Sequence, residues 1–130
     1  MISLKNPKVI RTFLILVALH SFVVGINLIS FPSEWMQQFG FNAITENFFK
    51  VQGGIFHVVM TIAYLLGAWK PVEHRIMIIF AIIAKFLATI FLITYFFISG
   101  STIVILLSAI SDFTMAIILL FLNLKLAPSK

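Results

Sequence analysis

Four long apolar blocks, separated by short polar or turn-forming segments, dominate the hydropathy pattern of this chain. Each block is about 20 residues long, the length that an α-helix needs to cross the hydrocarbon core of a bilayer. We therefore predict four membrane-spanning helices, at about residues 10–30, 48–69, 76–98 and 102–124. The connections after the second and third spans are short enough to force antiparallel neighbours. The predicted fold class is an all-α, up-down-up-down four-helix bundle, with residues 1–130 forming a single membrane domain.

A mixed polar and aromatic segment, from Ser33 to Phe41, separates the first two spans. Pro32 ends the first span because proline cannot extend a helix, and the Ser33 side chain can cap a new one. The segment is too short and too polar to cross a bilayer. We predict a short helix that lies in the headgroup region and ends at Gly40.

The composition excludes a soluble domain. Hydrophobic residues make up 62% of the 130 residues, charged residues make up 10%, and the mean hydropathy is +1.15. A soluble fold of this size would expose far too much apolar surface to water. The chain has no cysteine, which excludes disulfides, thiolate zinc sites and thiol redox chemistry. We therefore expect the lipid bilayer as the main partner.

The basic residues indicate the orientation in the membrane. The net charge of +5 would suggest nucleic acid as the partner of a soluble protein, but these residues flank the apolar blocks, so we expect no nucleic-acid partner. Lys50 lies alone on one side, and cytoplasmic flanks usually hold the excess of Lys and Arg. Both termini should therefore be cytoplasmic. The residues predicted on the cytoplasmic side are Lys5, Lys8, Arg11, Lys70, Arg75, Lys125 and Lys130.

Each predicted span carries one ionisable side chain near its centre: His20, His57, Lys85 and Asp112, in chain order. A lysine at the centre of a bilayer costs about 2.5–3.5 kcal/mol on insertion scales, so Lys85 needs a partner or a wet cavity. Asp112 is the one acidic residue inside another apolar block. We therefore predict a buried Lys85–Asp112 ion pair, with both histidines in the same polar layer.

Further polar residues on or beside the same helix faces are predicted to support this layer. On the first span, the predicted inward face consists of His20, Val24 and Asn27. Two interpretations of the layer remain open: the ion pair only sets the helix register and the histidines are neutral hydrogen-bonding residues, or the charges mark a functional site. The supporting residues are Asn27, Gln52, Thr61, Tyr64, Ser108 and Ser111.

A haem site is an alternative use of the two histidines. His20 and His57, at matched depth on neighbouring helices, would suit bis-histidine ligation. The sequence offers no further Gly or Arg features that would seat a porphyrin and its propionates. It also offers only two nitrogen ligands for a metal ion, with no carboxylate at i+4 to join them. We predict no metal site and assign no cofactor.

Several short motifs in the second, third and fourth spans resemble those of a known group. They are similar to motifs of the small bacterial four-helix membrane proteins of the DoxX-like and BphX-like type. The resemblance implies the bacterial inner membrane, a Gly-rich second span, and a recurrent Lys and Asp in the third and fourth spans. Most members lack an assigned activity, and some are thought to be membrane subunits of quinone-linked oxidoreductases. The motifs are Gln52-Gly53-Gly54-Ile55-Phe56, Gly67-Ala68-Trp69-Lys70-Pro71, Ala84-Lys85-Phe86, Ser111-Asp112-Phe113 and Phe121-Leu122.

Three functions fit these observations. The first is a binding or accessory subunit that holds a lipophilic molecule, such as a quinone or a lipid, against the polar layer, alone or in a membrane oxidoreductase complex. The second is proton-coupled transport, which would require a homo-oligomer because four spans contain no inverted repeat. The third is a membrane enzyme that uses Lys85 or His57 as an acid–base group. We favour the first, since no reaction is singled out by the residues.

Overall fold

The computed structural model describes residues 7–43, 46–100 and 102–126. Across these residues the protein consists of helices joined by short connections. The four long helices are each long and apolar enough to cross a membrane, so the four predicted spans are confirmed to within a few residues. The short helix predicted after the first span is also present. The helices are α1 (Pro7–Ser30), α2 (Ser33–Gln38), α3 (Phe48–Trp69), α4 (Arg75–Ser99) and α5 (Ile103–Lys125).

The four long helices form the predicted bundle as two tight pairs. Helix α1 packs most extensively on α3, and α4 packs most extensively on α5. The pairs meet along two looser seams, one between α3 and α4 and the other between α5 and α1. Helices that follow one another in the chain are therefore neighbours in space, as in an up-down-up-down bundle.

Glycine allows the close approach of α1 and α3. A Cβ atom at Gly25 would lie 2.8 Å from the carbonyl oxygen of Gly54, and a Cβ atom at Gly54 would lie 2.7 Å from the carbonyl oxygen of Gly25. Real Cβ atoms do not approach backbone oxygens this closely. In lipid the hydrophobic effect does not drive helices together. Small residues favour association instead, because they allow extensive van der Waals packing of the two backbones.

Polar contacts join the helix ends at one end of the bundle. The Arg75 guanidinium donates from Nε to Asn123 Oδ1 and from Nη2 to the Asn123 carbonyl oxygen, both at 3.0 Å. Arg75 is the first residue of α4 and Asn123 lies in the last turn of α5. The apolar side chains of Ile10, Ala68 and Leu126 belong to one buried cluster near the same end. The start of α1, the α3–α4 connection and the end of α5 therefore lie together.

The opposite end is joined through the segment that contains α2. Lys50 Nζ donates to the Phe31 carbonyl oxygen at 2.5 Å, and Thr102 Oγ1 donates to the Phe39 carbonyl oxygen at 2.5 Å. The prediction that Ser33 caps α2 was wrong. Pro32 occupies the N-cap position, and the Ser33 hydroxyl donates to Asn47 Oδ1 instead. These bonds hold α2 against the α3 start and the α4–α5 connection.

Candidate functional site

The predicted ion pair between Lys85 and Asp112 is present and buried. Lys85 Nζ lies 2.5 Å from Asp112 Oδ1, and the two residues are 3% and 8% exposed. The ammonium also lies 5.8 Å from the centroid of the Tyr64 ring, within the range of a cation–π interaction. The ammonium of lysine has three N–H donors, and an ionised carboxylate can only accept hydrogen bonds. The bond to Asp112 uses one lysine donor and leaves the others for further partners.

The His57 side chain is held by a serine that the sequence reasoning missed. Ser21 Oγ lies 3.1 Å from His57 Nδ1 and donates to the His57 carbonyl oxygen at 3.0 Å. Thr61 Oγ1 donates to the same carbonyl oxygen at 2.9 Å. A serine hydroxyl has one hydrogen, so a serine that donates to the carbonyl must accept from Nδ1–H. His57 Nε2 then carries the lone pair and is the ring nitrogen that Ser21 does not engage.

The ion pair and His57 meet at a cavity of about 190 Å³, which we call the polar cavity. One part of its wall is polar and another is apolar, with the apolar part contributed by α3 and α4. Phe56 is 62% exposed, and Ala84 and Ala88 are partly exposed. The cavity therefore reaches the protein surface along the loose α3–α4 seam, where the surface would face acyl chains. Its lining residues are Ser21, Phe56, His57, Met60, Tyr64, Ala84, Lys85, Ala88 and Asp112.

Some of the predicted site residues converge on this cavity. Lys85, Asp112, His57 and Tyr64 line it. Thr61 is 9% exposed and lies beside it, where its hydroxyl supports the backbone of α3. These five residues come from three helices, α3, α4 and α5. The structure therefore brings this part of the predicted polar layer together around one cavity.

The structure places the other predicted site residues elsewhere. His20 and Gln52 are exposed, while Asn27 and Ser111 are partly exposed and do not line the polar cavity. Ser108 is also exposed, and its hydroxyl donates to the Val104 carbonyl oxygen of its own helix at 2.9 Å.

The inward face of α1 differs by one residue from the prediction. The predicted face contained His20, Val24 and Asn27, whereas the buried residues include Ala18, Ser21 and Gly25. A shift of one residue turns a helix by about 100°, which moves His20 to the outside. The stripe of small residues at Ala18, Ser21 and Gly25 was the signal that would have identified the inward face, because such stripes mark close helix packing in lipid.

The haem alternative gains no support from this arrangement. His57 lines the polar cavity with Nδ1 next to Ser21, whereas His20 lies on the exposed side of α1. His20 is therefore not among the residues that line the cavity next to His57. Among residues 7–43, 46–100 and 102–126, no group of three or more His, Cys, Asp or Glu side chains is placed to hold a metal ion.

Comparisons of this chain with protein-family models, with curated proteins and with solved structures each found no match. The geometry of the polar cavity is therefore the main basis for a functional conclusion. The site offers lysine N–H donors, a histidine nitrogen with a lone pair and an apolar opening. This combination can bind the polar end of an amphiphilic molecule while the rest of that molecule remains in lipid.

Proposed function

We propose that this protein binds a small lipophilic molecule, such as a quinone or a lipid, whose polar end occupies the polar cavity. The proposal rests on one observation: a single cavity is lined both by the buried Lys85–Asp112 pair with His57 and by an apolar wall that reaches the α3–α4 surface. Ligand sites commonly combine apolar walls with a few convergent polar groups. Intramembrane charges in particular tend to mark functional sites.

The polar cavity limits the size and chemistry of the ligand. At about 30 Å³ per water molecule, 190 Å³ is room for about six waters. Such a space accepts a single ring or a short polar head, and a longer apolar tail would leave through the α3–α4 seam. The Lys85–Asp112 pair has no net charge, so it favours a neutral ligand. A carbonyl oxygen would accept from the spare Lys85 donors, and a hydroxyl group would also donate to His57 Nε2.

We further propose that the protein is an accessory subunit in the inner membrane of a bacterium. The resemblance to DoxX-like and BphX-like proteins supports this role, including a place in a membrane oxidoreductase complex. The bundle end that joins α3 to α4 holds most of the basic residues among those described, and Lys50 lies near the other end. By the positive-inside rule, this distribution supports the proposal that both termini are cytoplasmic. The described basic residues at that end are Lys8, Arg11, Lys70, Arg75 and Lys125; Lys5 and Lys130, which the prediction also counted, lie outside the described residues.

Native mass spectrometry of protein purified in mild detergent tests the binding proposal. Wild-type protein should retain a small lipophilic molecule, which extraction and organic-phase mass spectrometry then identify. Ala84→Leu places a larger side chain in the lining of the polar cavity and should reduce the retained amount at least tenfold. Ala63→Leu is the matched control, because Ala63 is also a partly exposed alanine of the bundle but does not line the cavity.

Two results would contradict the proposal. The first is wild-type protein that carries no lipophile after mild extraction and takes up none from quinone- or lipid-loaded vesicles. The second is equal retention of the lipophilic molecule by the Ala84→Leu and Ala63→Leu variants, provided that circular dichroism shows both variants to be folded.

A further inference from the structure

The His20 imidazole lies on the outside of the bundle, near the middle of the apolar helix α1. It is exposed and falls within two residues of the midpoint of α1, which corresponds to about 3 Å of depth. Across the described residues its ring forms no hydrogen bond, and the charges of Lys85 and Asp112 act on it only from a distance. Hydrocarbon offers no hydrogen-bonding partner, and lipid headgroups do not reach this depth. A single copy of the chain therefore leaves the hydrogen-bonding groups of this imidazole without a partner among the described residues.

His20 belongs to a stripe with the spacing of a helix–helix seam. Leu16, His20, Val23 and Asn27 follow one another at intervals of four, three and four residues, as the a and d positions of a heptad repeat do. Leu16 is 55% exposed and Val23 is 48% exposed, while Asn27 is partly exposed. We call these four residues the outer stripe of α1. It alternates apolar residues with two polar ones that are seven residues apart.

From this pattern we infer that the outer stripe is the interface of a parallel homodimer, with α1 packed against α1 of a second copy. All copies of a membrane protein insert in the same direction, so a two-fold axis runs along the membrane normal. A residue near that axis meets its own counterpart at the same depth. A neutral imidazole has one donor and one acceptor, and the Asn27 amide has both, so each side chain can hydrogen-bond its counterpart.

The second copy fits this surface better than a different membrane partner for two reasons. Polar residues at a positions are a common means of setting register and oligomeric state in parallel helix pairs. His20 and Asn27 also satisfy their hydrogen-bonding needs without any additional charge or cofactor. The inference does not rest on the ligand proposal, because none of the four residues of the outer stripe lines the polar cavity.

Cysteine cross-linking in native membranes tests the interface directly. The chain has no cysteine, so single variants report unambiguously on one position. Leu16→Cys and Val23→Cys should each form a disulfide-linked dimer under mild oxidation. The matched control is Ile90→Cys, because Ile90 is 61% exposed but lies on α4. Cross-linking at least tenfold more efficient from the α1 positions is the expected result, and equal efficiency would overturn the inference.

A second measurement addresses the role of the imidazole. Energy transfer between labelled copies, followed as lipid vesicles are diluted with added lipid, gives the dimer dissociation constant. His20→Leu should weaken the dimer by about threefold to tenfold, the range expected for interhelical hydrogen bonds in membranes. His20→Asn, which keeps one donor group and one acceptor, should restore much of it. Leucine suits a lipid-facing position, so the variant folds, and an unchanged dissociation constant for His20→Leu would overturn the inference.

Discussion

Lys85 and Asp112 form an ion pair across two antiparallel helices, with Nζ and Oδ1 2.5 Å apart and both side chains withdrawn from the surface. The ion pair lies within the tight helix pair formed by α4 and α5. Its position beside Tyr64 and His57 of α3 means that it also forms part of the boundary between the two helix pairs. The same two residues can therefore influence both the stability of the bundle and the chemistry of the polar cavity.

We expect Lys85→Met and Asp112→Asn to destabilise the bundle more as single changes than in combination. Either single change leaves an uncompensated buried charge, which typically costs about 3–5 kcal/mol. The double variant has no such charge, so its free energy of unfolding should recover by at least about 2 kcal/mol relative to the worse single variant. Unfolding by sodium dodecyl sulfate in mixed micelles, followed by circular dichroism, measures all four proteins.

The Lys70–Glu73 pair is the control for this cycle. Its atoms approach to 2.8 Å, but the two side chains are 52% and 60% exposed. Exposed pairs contribute about 0–1 kcal/mol, so Lys70→Met should change stability little. Strictly additive losses for the Lys85 and Asp112 variants would show that the two charges do not depend on each other.

Ser21→Ala tests the serine that holds His57. The change removes a hydroxyl that contacts both His57 Nδ1 and the His57 carbonyl oxygen, and we expect a loss of roughly 0.5–1.5 kcal/mol of unfolding free energy. It should also weaken retention of the lipophilic ligand, because the imidazole is no longer held in one tautomer and orientation. Ser108→Ala is the matched control, since the Ser108 hydroxyl bonds its own helix at an exposed position. Equal behaviour of the two serine variants in both assays would mean that Ser21 does not orient His57.

The elements that followed directly from the sequence are those with a strong energetic cause. Long apolar blocks must become helices in lipid, because every backbone polar group needs an internal partner. A lysine at mid-depth needs an anion, and the chain offers Asp112. These two constraints were sufficient for the bundle and for the ion pair.

The orientation of α1 did not follow from the sequence because its pattern is weakly amphipathic. Apolar residues surround this helix almost completely, so the spacing of its large apolar side chains does not distinguish the inward face. His20 suggested the wrong face because a polar residue was assumed to point into its own bundle. Ser21 was overlooked because the prediction followed the polar residues of α1 and not the spacing of its small residues Ala18, Ser21 and Gly25. The observed rotation places Gly25 against Gly54 of α3, which allows the two helices to approach closely.

Arg75 should stabilise the end of the bundle where α4 begins and α5 ends. Its guanidinium makes two hydrogen bonds to Asn123, which is 6% exposed. Hydrogen bonds to charged groups contribute about 1.5–3 kcal/mol, so Arg75→Ala should lower the unfolding free energy by an amount in this range. Arg75→Lys should recover little, because an ammonium cannot reproduce the planar two-donor geometry. Chemical denaturation compares the variants with Lys70→Ala, and full recovery by lysine would indicate that charge alone matters.

The two adjacent glycines of α3 provide the sharpest test of the α1–α3 contact. A Cβ atom at Gly54 would lie 2.6 Å from Ile29 Cγ1 and 2.7 Å from the Gly25 carbonyl oxygen, whereas a Cβ atom at Gly53 would meet Leu28 Cδ1 at an ordinary 3.9 Å. Gly54→Ala should therefore cost about 1–3 kcal/mol through overpacking, because the Gly25 backbone cannot retreat without moving α1. Gly53→Ala should be neutral or should stabilise the helix by about 0.5–1 kcal/mol, since alanine has the higher helix propensity. Both changes add the same methyl group to the same helix, so the difference between their unfolding free energies isolates the contact. If Gly54→Ala were as stable as Gly53→Ala, α1 and α3 could not be packed as closely as the structure shows.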